Sequence, residues 1–597
     1  MLNARLYRAA LVPFLFALAI AAFSLGTQPL PLSSTLAPDA FEGRRAFAEM
    51  QALAARYPER RAGSAGDARL AERVAATIGA LGGAAGGGFS VHVQHLEGQT
   101  IDGERQLTNV IAQRPGSTNE SPVVIVAHRD AAAPGSQAEL SGTAVLLELA
   151  RVFAARETKR TIVLVSTSGG SGGDAGASAL AASLHGAADG AIVIGDVAAA
   201  HVSRPQVLAF SDAFGSAPLL LTRTASDAIM HEFGADPGAP SALGQFAHLA
   251  LPMATGEQGV LNAGGVPAVL VQASGERGPA QREPVSAERL EGMGRAVLDT
   301  VDALDTAPDV SSAMQTGLVL QHKTLPLWAV QLLIGTALIA PLVTAADGLA
   351  RLRRRRRPVG RWTLWVLSCA LPFFSCALFA FLLGGLGVLG AAPAVPVPPS
   401  AMPVEGTAAT VLMAVALSFL LAWLLWTMLV RRLRWGTRPD PEVAGLAVLL
   451  VLVALALVVW LANPFAALLL LPAAHLWLLL ASPELRPRRI GSVGLLIAGV
   501  LPTALLILFY AHQLGLGVGG VAWTAVLLLA GGHIGLAGAV LWSIALGCGA
   551  AAAMLAFGRQ DAPPGPQAAD GVEVTIRGPM SYAGPGSLGG TESALRR

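Results

Sequence analysis

Cysteine is almost missing from this chain of 597 residues, and the part that looks globular has none. Cys369, Cys376 and Cys548 all lie in apolar runs, so residues 30–310 hold no disulfide in any compartment. Lysine is scarcer still, confined to Lys159 and Lys323. Charged residues make up only 13 % of the chain, with a formal net charge of +2. No basic patch interleaved with aromatics appears between residues 30 and 310, which argues against a nucleic-acid partner. What is abundant is apolar: 53 % of residues, with a mean hydropathy of +0.56, too high for a soluble protein of this size. The wealth of Ala, Gly, Arg and Pro reads as the product of a GC-rich bacterial genome.

The apolar residues gather in one early block and a long later series. A membrane helix needs about 20 mainly apolar residues. Residues 9–25 fit a first span behind Arg5 and Arg8, and the lack of a small-x-small cleavage site favours an uncleaved anchor over a signal peptide. Further spans are expected near 326–345, 362–384, 408–430, 443–461, 464–482 and 490–511. The stretch 521–557 is too long for one upright helix and would break at the Gly-Gly-His of 531–533, giving eight or nine spans in all. The expected organisation is an anchor (1–29), an extracytoplasmic domain (30–310), a multi-span region (311–557) and a disordered Gly/Pro/Ser-rich tail (558–597).

Orientation follows from arginine. Arg351, Arg353 to Arg357 and Arg361 crowd one loop, Arg431, Arg432, Arg434 and Arg438 a second, and Arg486, Arg488 and Arg489 a third. The alternate loops 385–407, 462–463 and 512–520 carry no Lys or Arg. By the positive-inside rule the arginine loops are cytoplasmic and residues 26–325 lie outside an inner or plasma membrane. The expected spans contain no Asp or Glu, which weakens any reading as a pump or ion-coupled transporter. His475 and His533 are the ionisable residues expected inside spans, and the Pro-rich outer segment 391–403 reads as extended.

The globular part alternates strand-like and helix-like runs. Residues 41–57 and 67–81 read as amphipathic helices. Strands are expected at 123–128, 160–167, 190–197, 206–212 and 266–273, with helices at 143–155, 175–185, 216–232 and 286–305 between and after them. Continuous apolar strands alternating with helices indicate an α/β sheet covered on both faces. Active residues of such sheets sit at strand C-termini. Here those ends carry His128 and Asp130, then Ser-Thr-Ser-Gly-Gly, then Asp196. A His-x-Asp at a strand end suits a metal ligand with an orienting carboxylate.

The order Asn-Val-Ile-Ala-Gln-Arg-Pro-Gly (109–116), Val-Val-Ile-Val-Ala-His-Arg-Asp (123–130), Ser-Gly-Thr-Ala-Val-Leu (141–146), the strand at 160–167, Ile-Gly-Asp (194–196) and Asn-Ala-Gly-Gly-Val-Pro-Ala-Val-Leu (262–270) resembles the M28 zinc peptidases. The resemblance implies a mixed-sheet α/β fold and a site built around two bridged zinc ions. It implies that His128 is a zinc ligand, that Asp130 orients it, and that Asp196 shares the same ion. Elsewhere the chain departs. The bridging Asp falls on Ala138, with Glu139 next to it as the nearest substitute; the Glu-Glu pair that supplies the base falls on Gly169-Gly170; and no His lies between His248 and His322 to act as the last ligand. Two-metal hydrolysis needs both ions and a base, so the resemblance implies impaired catalysis, with at most a residual single zinc at His128, Asp196 and Glu139.

One other chemistry competes. Gly169 to Gly173 satisfies G-x-S-x-G, and His201, His231 or His248 follows Asp196 in the order of a serine hydrolase. Glu257 and Gln258 occupy the place of a substrate-side loop and could hold a ligand's polar end. The layout, one anchor, an outer domain and many spans, also resembles organellar membrane proteases and the Gaa-type subunit of GPI transamidase, which lacks a working metal site. Three functions are therefore weighed: an impaired domain that binds a peptide or a protein partner, with its spans docking a membrane partner; an active one-zinc exopeptidase; and a transporter or lipid-handling protein with an accessory domain.

Overall fold

A computed structural model describes residues 4–82, 88–201, 204–307, 313–389, 392–433, 440–481 and 489–558; the expected tail lies outside them. Helix α1 (Ala4–Phe23) leads into the two-residue strand β1 (Gly26–Thr27). Later in the chain β9 (Leu318–Val319) and β10 (Lys323–Leu325) precede α10 (Leu327–Arg354). Strand β1 pairs antiparallel with β10, Gly26 opposite Thr324, and β10 with β9. This small sheet clasps the entry and exit of the globular domain together, so α1 packs along α10 as part of the helical bundle.

Within the domain, α2 (Gly43–Arg56) and α3 (Ala65–Gly79) come first. Ser64 starts α3 by accepting from the Asp67 N–H. A long hairpin, β2 (Ser90–Thr100) and β3 (Gly103–Arg114), follows. Then come β4 (Val123–His128), α4 (Ser141–Ala154), β5 (Ile162–Thr167), α5 (Ala175–Leu184), β6 (Gly190–Ile194), β7 (Gln206–Leu208), α6 (Leu219–Phe233), α7 (Ala242–Ala250), α8 (Glu257–Ala263), β8 (Ala268–Gln272) and α9 (Ala287–Thr306). The sheet order is β2-β3-β5-β4-β6-β8-β7. The central four strands run parallel, while the β2–β3 hairpin and β7 are antiparallel edges. This is the mixed-sheet α/β fold that the resemblance implies.

The apolar strands are continuous because both faces are covered. Side chains alternate across a strand, so Val123, Ile125 and Ala127 of β4 face the core under α2, α4 and α9. Val124 and Val126 face the smaller core that holds Leu180 of α5 and Leu261 of α8. The C-termini of β4, β5 and β6 are thereby brought side by side.

Among the described residues, seven helices are long and apolar enough to cross a membrane: Arg5–Phe23, Leu327–Arg354, Val359–Gly385, Gly406–Arg432, Pro441–Ala462, Ile490–Gln513 and Leu536–Phe557. The expected span at 464–482 is a shorter apolar pair, α15 (Pro464–Leu468) and α16 (Leu471–Ala481). The stretch 521–557 does break near the Gly-Gly-His, between α18 (Val518–Ala530) and α19 (Leu536–Gly558). With 13 residues, α18 reaches only about 20 Å at 1.5 Å per residue, short of a hydrocarbon core. It lies against the Pro-rich segment 392–404, with the Trp523 indole donating to the Met402 carbonyl, so both its ends stay on the side of the globular domain. His533 is accordingly not inside a span: it sits in the turn after α18, 2.8 Å from the Pro252 carbonyl of the domain. The arginines at the ends of α10 and of α13 (Gly406–Arg432) lie at the other end of the bundle.

Candidate functional site

His128 closes β4, and Glu139 stands in the one-turn 3-10 helix Ala138–Leu140 that leads into α4. That entry is tightly built. The Ser141 hydroxyl donates to the Ala138 carbonyl and accepts from the Val197 N–H. A Cβ on Gly142 would run into the Ile194 carbonyl at the end of β6, so a Ser-Gly pair is needed where α4 meets the sheet. The result holds Glu139 Oε2 2.9 Å from His128 Nε2. Glu257, the first residue of α8, approaches from the other side, its Oε2 3.9 Å from His128 Nδ1. Its other oxygen accepts from the Thr167 hydroxyl at 2.5 Å. Glu257 thus joins the site, whereas Gln258 does not line the cavity: it is buried, with neither amide atom hydrogen-bonded.

Gly170 explains how these groups come so close. A Cβ there would overlap the His128 side chain and lie 3.0 Å from the Glu257 carboxyl carbon. A glutamate at 170 would therefore project into the volume that Glu257 now fills. The space beside His128 that a side chain at 170 would enter is filled by the Glu257 carboxylate from α8.

Asp130 does not orient His128 through a hydrogen bond. Its Oδ1 accepts from the Gly169 and Gly170 N–H groups at 2.9 and 3.1 Å, and its Oδ2 from the Ser171 N–H at 3.1 Å and from the Ser171 hydroxyl. It folds the glycine loop and leaves Ser171 with a carboxylate partner in place of a histidine. The serine-hydrolase order fails on its other members too. His201 and His231 are exposed beside Glu283 and Asp227, and His248 is buried 3.0 Å from Glu276. Asp196 follows β6 as expected, with Oδ1 accepting from the Ala198 and Ala199 N–H groups and Oδ2 buried without a hydrogen-bond partner.

The electrostatics follow the burial. For His128 burial favours the neutral ring, yet the hydrogen bond and charge of Glu139, with the charges of Glu257 and Asp130, carry its pKa to about 10. Burial raises Asp196 to about 7, with the Glu139 charge adding to it against the Ala199 and Ala198 N–H bonds. Burial also raises Glu257 and, well above the ordinary range, Asp174. The hydrogen bond to Glu139 and the neighbouring acids thus favour the protonated form of the buried His128 ring.

That donor set does not fit the two-zinc centre implied by the resemblance. His128 Nε2 is taken by Glu139, positions 169 and 170 carry no acid, and among the described residues no group of three or more His, Cys, Asp or Glu is arranged to hold a metal ion. The cavity at His128, Glu139 and Glu257 is small, about 40 Å³. Its wall includes Pro398 and Ser400, which belong to the Pro-rich segment between α12 (Leu371–Gly385) and α13. Ala401 and Pro393 likewise lie over Gly172 and Gly173. The chemistry-bearing strand ends are thus roofed by the helical part of the chain.

Sequence reasoning missed this roof, Thr167, and a buried pair beneath the site. Arg129 Nε lies 2.8 Å from Asp67 Oδ1 with both side chains sealed from solvent, and Arg129 also donates to the Ser166 and Thr167 carbonyls. Its position between two candidate ligands was the available signal.

Residues 109–234 match the sequence profile of peptidase family M28. No curated protein sequence matches the chain. Among solved structures, a zinc aminopeptidase from Bacillus subtilis aligns with 13 % identity over 46 % of this chain and 98 % of its own, with a TM-score of 0.35. An aminopeptidase from Aneurinibacillus sp. strain AM-1 aligns with 14 % identity over 46 % and 97 %, TM-score 0.33. A glutaminyl cyclase from Fimbriiglobus ruber aligns with 16 % identity over 44 % and 95 %, TM-score 0.32.

Proposed function

We propose, from the premise that this chain carries a peptidase family M28 domain on a bundle of long apolar helices, that the domain is catalytically silent and acts as an extracytoplasmic binding head. The observation that carries this reading is the packing at Gly170. Position 170, which should present the base, has no side chain and no room for one, because His128 and Glu257 occupy that space. Glu139 cannot act freely as a base while its carboxylate neutralises the buried His128. Hydrolysis needs a group poised to take a proton from water, and the acids here are held by internal contacts: Glu139 by His128, Asp130 by the 169–171 loop and Glu257 by Thr167.

The same features suit a structural role. A domain freed from catalysis can fill its own cleft, and this one does so with the 392–403 segment. Its remaining surface, away from the bundle, is available to a protein or peptide partner, while the helices can dock a membrane partner. On the arginine distribution, we place this head outside the cytoplasmic membrane of a bacterium. The roof argues against small peptides entering the strand ends unless the segment moves.

The test is peptide release by the purified full-length protein, with and without added zinc, on a panel of aminoacyl and carboxy-terminal fluorogenic substrates. No release above that of His128→Ala is expected. Zinc-dependent release that His128→Ala abolishes would establish the one-zinc exopeptidase instead.

A further inference from the structure

A cavity of about 940 Å³ lies in the helical bundle, far from the strand ends. It opens between α10, α11 (Val359–Ser368), α14 (Pro441–Ala462) and α19. Its walls are apolar, with Leu367, Leu455 and Ile544 among them. At one end stand Arg353 and Arg357 with Thr363 nearby. Along α14 the lining runs from Leu450 to Val458, about 12 Å at 1.5 Å per residue. The groove is therefore amphipathic along its length: cationic where α10 ends, hydrocarbon-like beyond.

The turn that sets the cationic end is specific. Helix α10 ends with the Arg356 N–H on the Arg353 carbonyl and the Arg357 N–H on the Leu352 carbonyl. Arg356 takes the left-handed conformation, φ 52°, that normally calls for glycine. This reversal brings Arg357 back over the groove that Arg353 already lines.

Acidic partners cover only part of this end among the described residues. Arg351 pairs with Asp347, Arg355 lies 3.9 Å from Glu442, and Arg357 lies 3.6 Å from Asp440. Arg353 has no acidic partner among the described residues. Pairing an arginine end with an apolar trough calls for one ligand chemistry, a phosphate head on an acyl chain, and basic pockets between helices are where such lipids bind.

We infer that this groove is a site for one anionic phospholipid from the leaflet at the arginine-rich end, its phosphate on Arg353 and Arg357 and an acyl chain along α14. This inference is independent of whether the M28 domain is silent. It assigns the bundle a lipid requirement that the domain does not need.

The experiment uses the full-length protein stripped of lipid in neutral detergent. Dioleoylphosphatidylglycerol or dioleoylphosphatidylcholine is added back, and thermal unfolding and retained lipid by native mass spectrometry are read. Phosphatidylglycerol is expected to raise Tm and to be retained at one molecule per chain, and phosphatidylcholine to do neither. Arg353→Gln with Arg357→Gln should weaken phosphatidylglycerol binding about thirtyfold, because the attraction of two cations for one phosphate is removed. Ala454→Trp, which fills the trough and leaves both arginines, should abolish retention; Leu455→Phe is the milder form should that protein fail to fold. Arg431→Gln with Arg432→Gln, basic but outside the groove, should change nothing. Equal effects of the two lipids, a phosphatidylglycerol preference that survives the Arg353 and Arg357 changes, or the same stabilisation by inorganic phosphate would each overturn the inference.

Discussion

Asp130 organises the loop that follows β5. Its carboxylate accepts three backbone N–H groups and one hydroxyl from the loop 169–171. Asp130→Ala would leave those donors buried and unpaired, at roughly 1–3 kcal/mol for the first and less for those that can relax. A loss of about 3 kcal/mol is expected in denaturant unfolding of the full-length protein, whereas a residue that merely steadied His128 would cost less than about 1 kcal/mol. Asp212 makes a different case. Burial, then the Glu276 charge, raise its pKa to about 7 against the Ala254 N–H and the His248 charge, and its Oδ2 has no partner. The folded state therefore holds a proton that the unfolded state has released. Stability from this group is fullest below about pH 4 and is lost as pH rises through about 7. Asp212→Asn should remove that loss. Its Tm should exceed that of the native protein at about pH 8 by an amount worth on the order of 4 kcal/mol, with the advantage gone at about pH 4. A constant difference across that range would sink the assignment.

The strand ends are joined from below by Arg129, which reaches Thr108 on β3, Ser166 and Thr167 on β5, and Asp67 on α3. Arg129→Met should cost about 3–5 kcal/mol, because it strands the buried Asp67 carboxylate, and the loss should be smaller in the double change with Asp67→Leu. A measured cost under about 1 kcal/mol would mean the pair does not brace the site. These elements also mark what was legible beforehand. The strands β4, β5, β6 and β8 announced themselves as unbroken apolar runs, and the helices between them by their period. The β2–β3 hairpin did not: Ser90 to Thr100 is polar, half-exposed and edge-placed, so it carries no run to read. His128 and Asp196 were legible as residues at strand ends. The partner of His128 was not fixed by sequence, since a one-residue offset from Ala138 to Glu139 resolves only when the 3-10 turn is seen. Glu257 was found by its place in the chain, but its meeting with His128 depends on the absence of a side chain at 170, which no local pattern encodes.

The two halves of the protein are one mechanical unit at α7. Leu249 and Leu251 offer carbonyls to Asn463 and Tyr510 of the bundle, each at 2.7 Å, and Pro252 receives His533. His248 stacks on Phe210 and meets Phe509 and Tyr510 edge-on. Together with the roof over the strand ends, these contacts explain why the site is closed in a chain whose domain has its own complete core. Tyr510→Phe with Asn463→Leu removes two interfacial hydrogen bonds, worth about 1 kcal/mol each. Amide exchange over 247–254 should quicken by roughly tenfold or more, with the centre of the sheet unchanged. Unaltered exchange in that segment would mean the domain is held elsewhere. Everything proposed for the domain turns on an ion pair having replaced a metal centre at His128. The decisive quantity is zinc bound per chain, measured on full-length protein after dialysis against zinc at neutral pH. No stoichiometric zinc that depends on His128 is expected; one tight zinc per chain, lost in both His128→Ala and Asp196→Ala, would show that the metal centre survives.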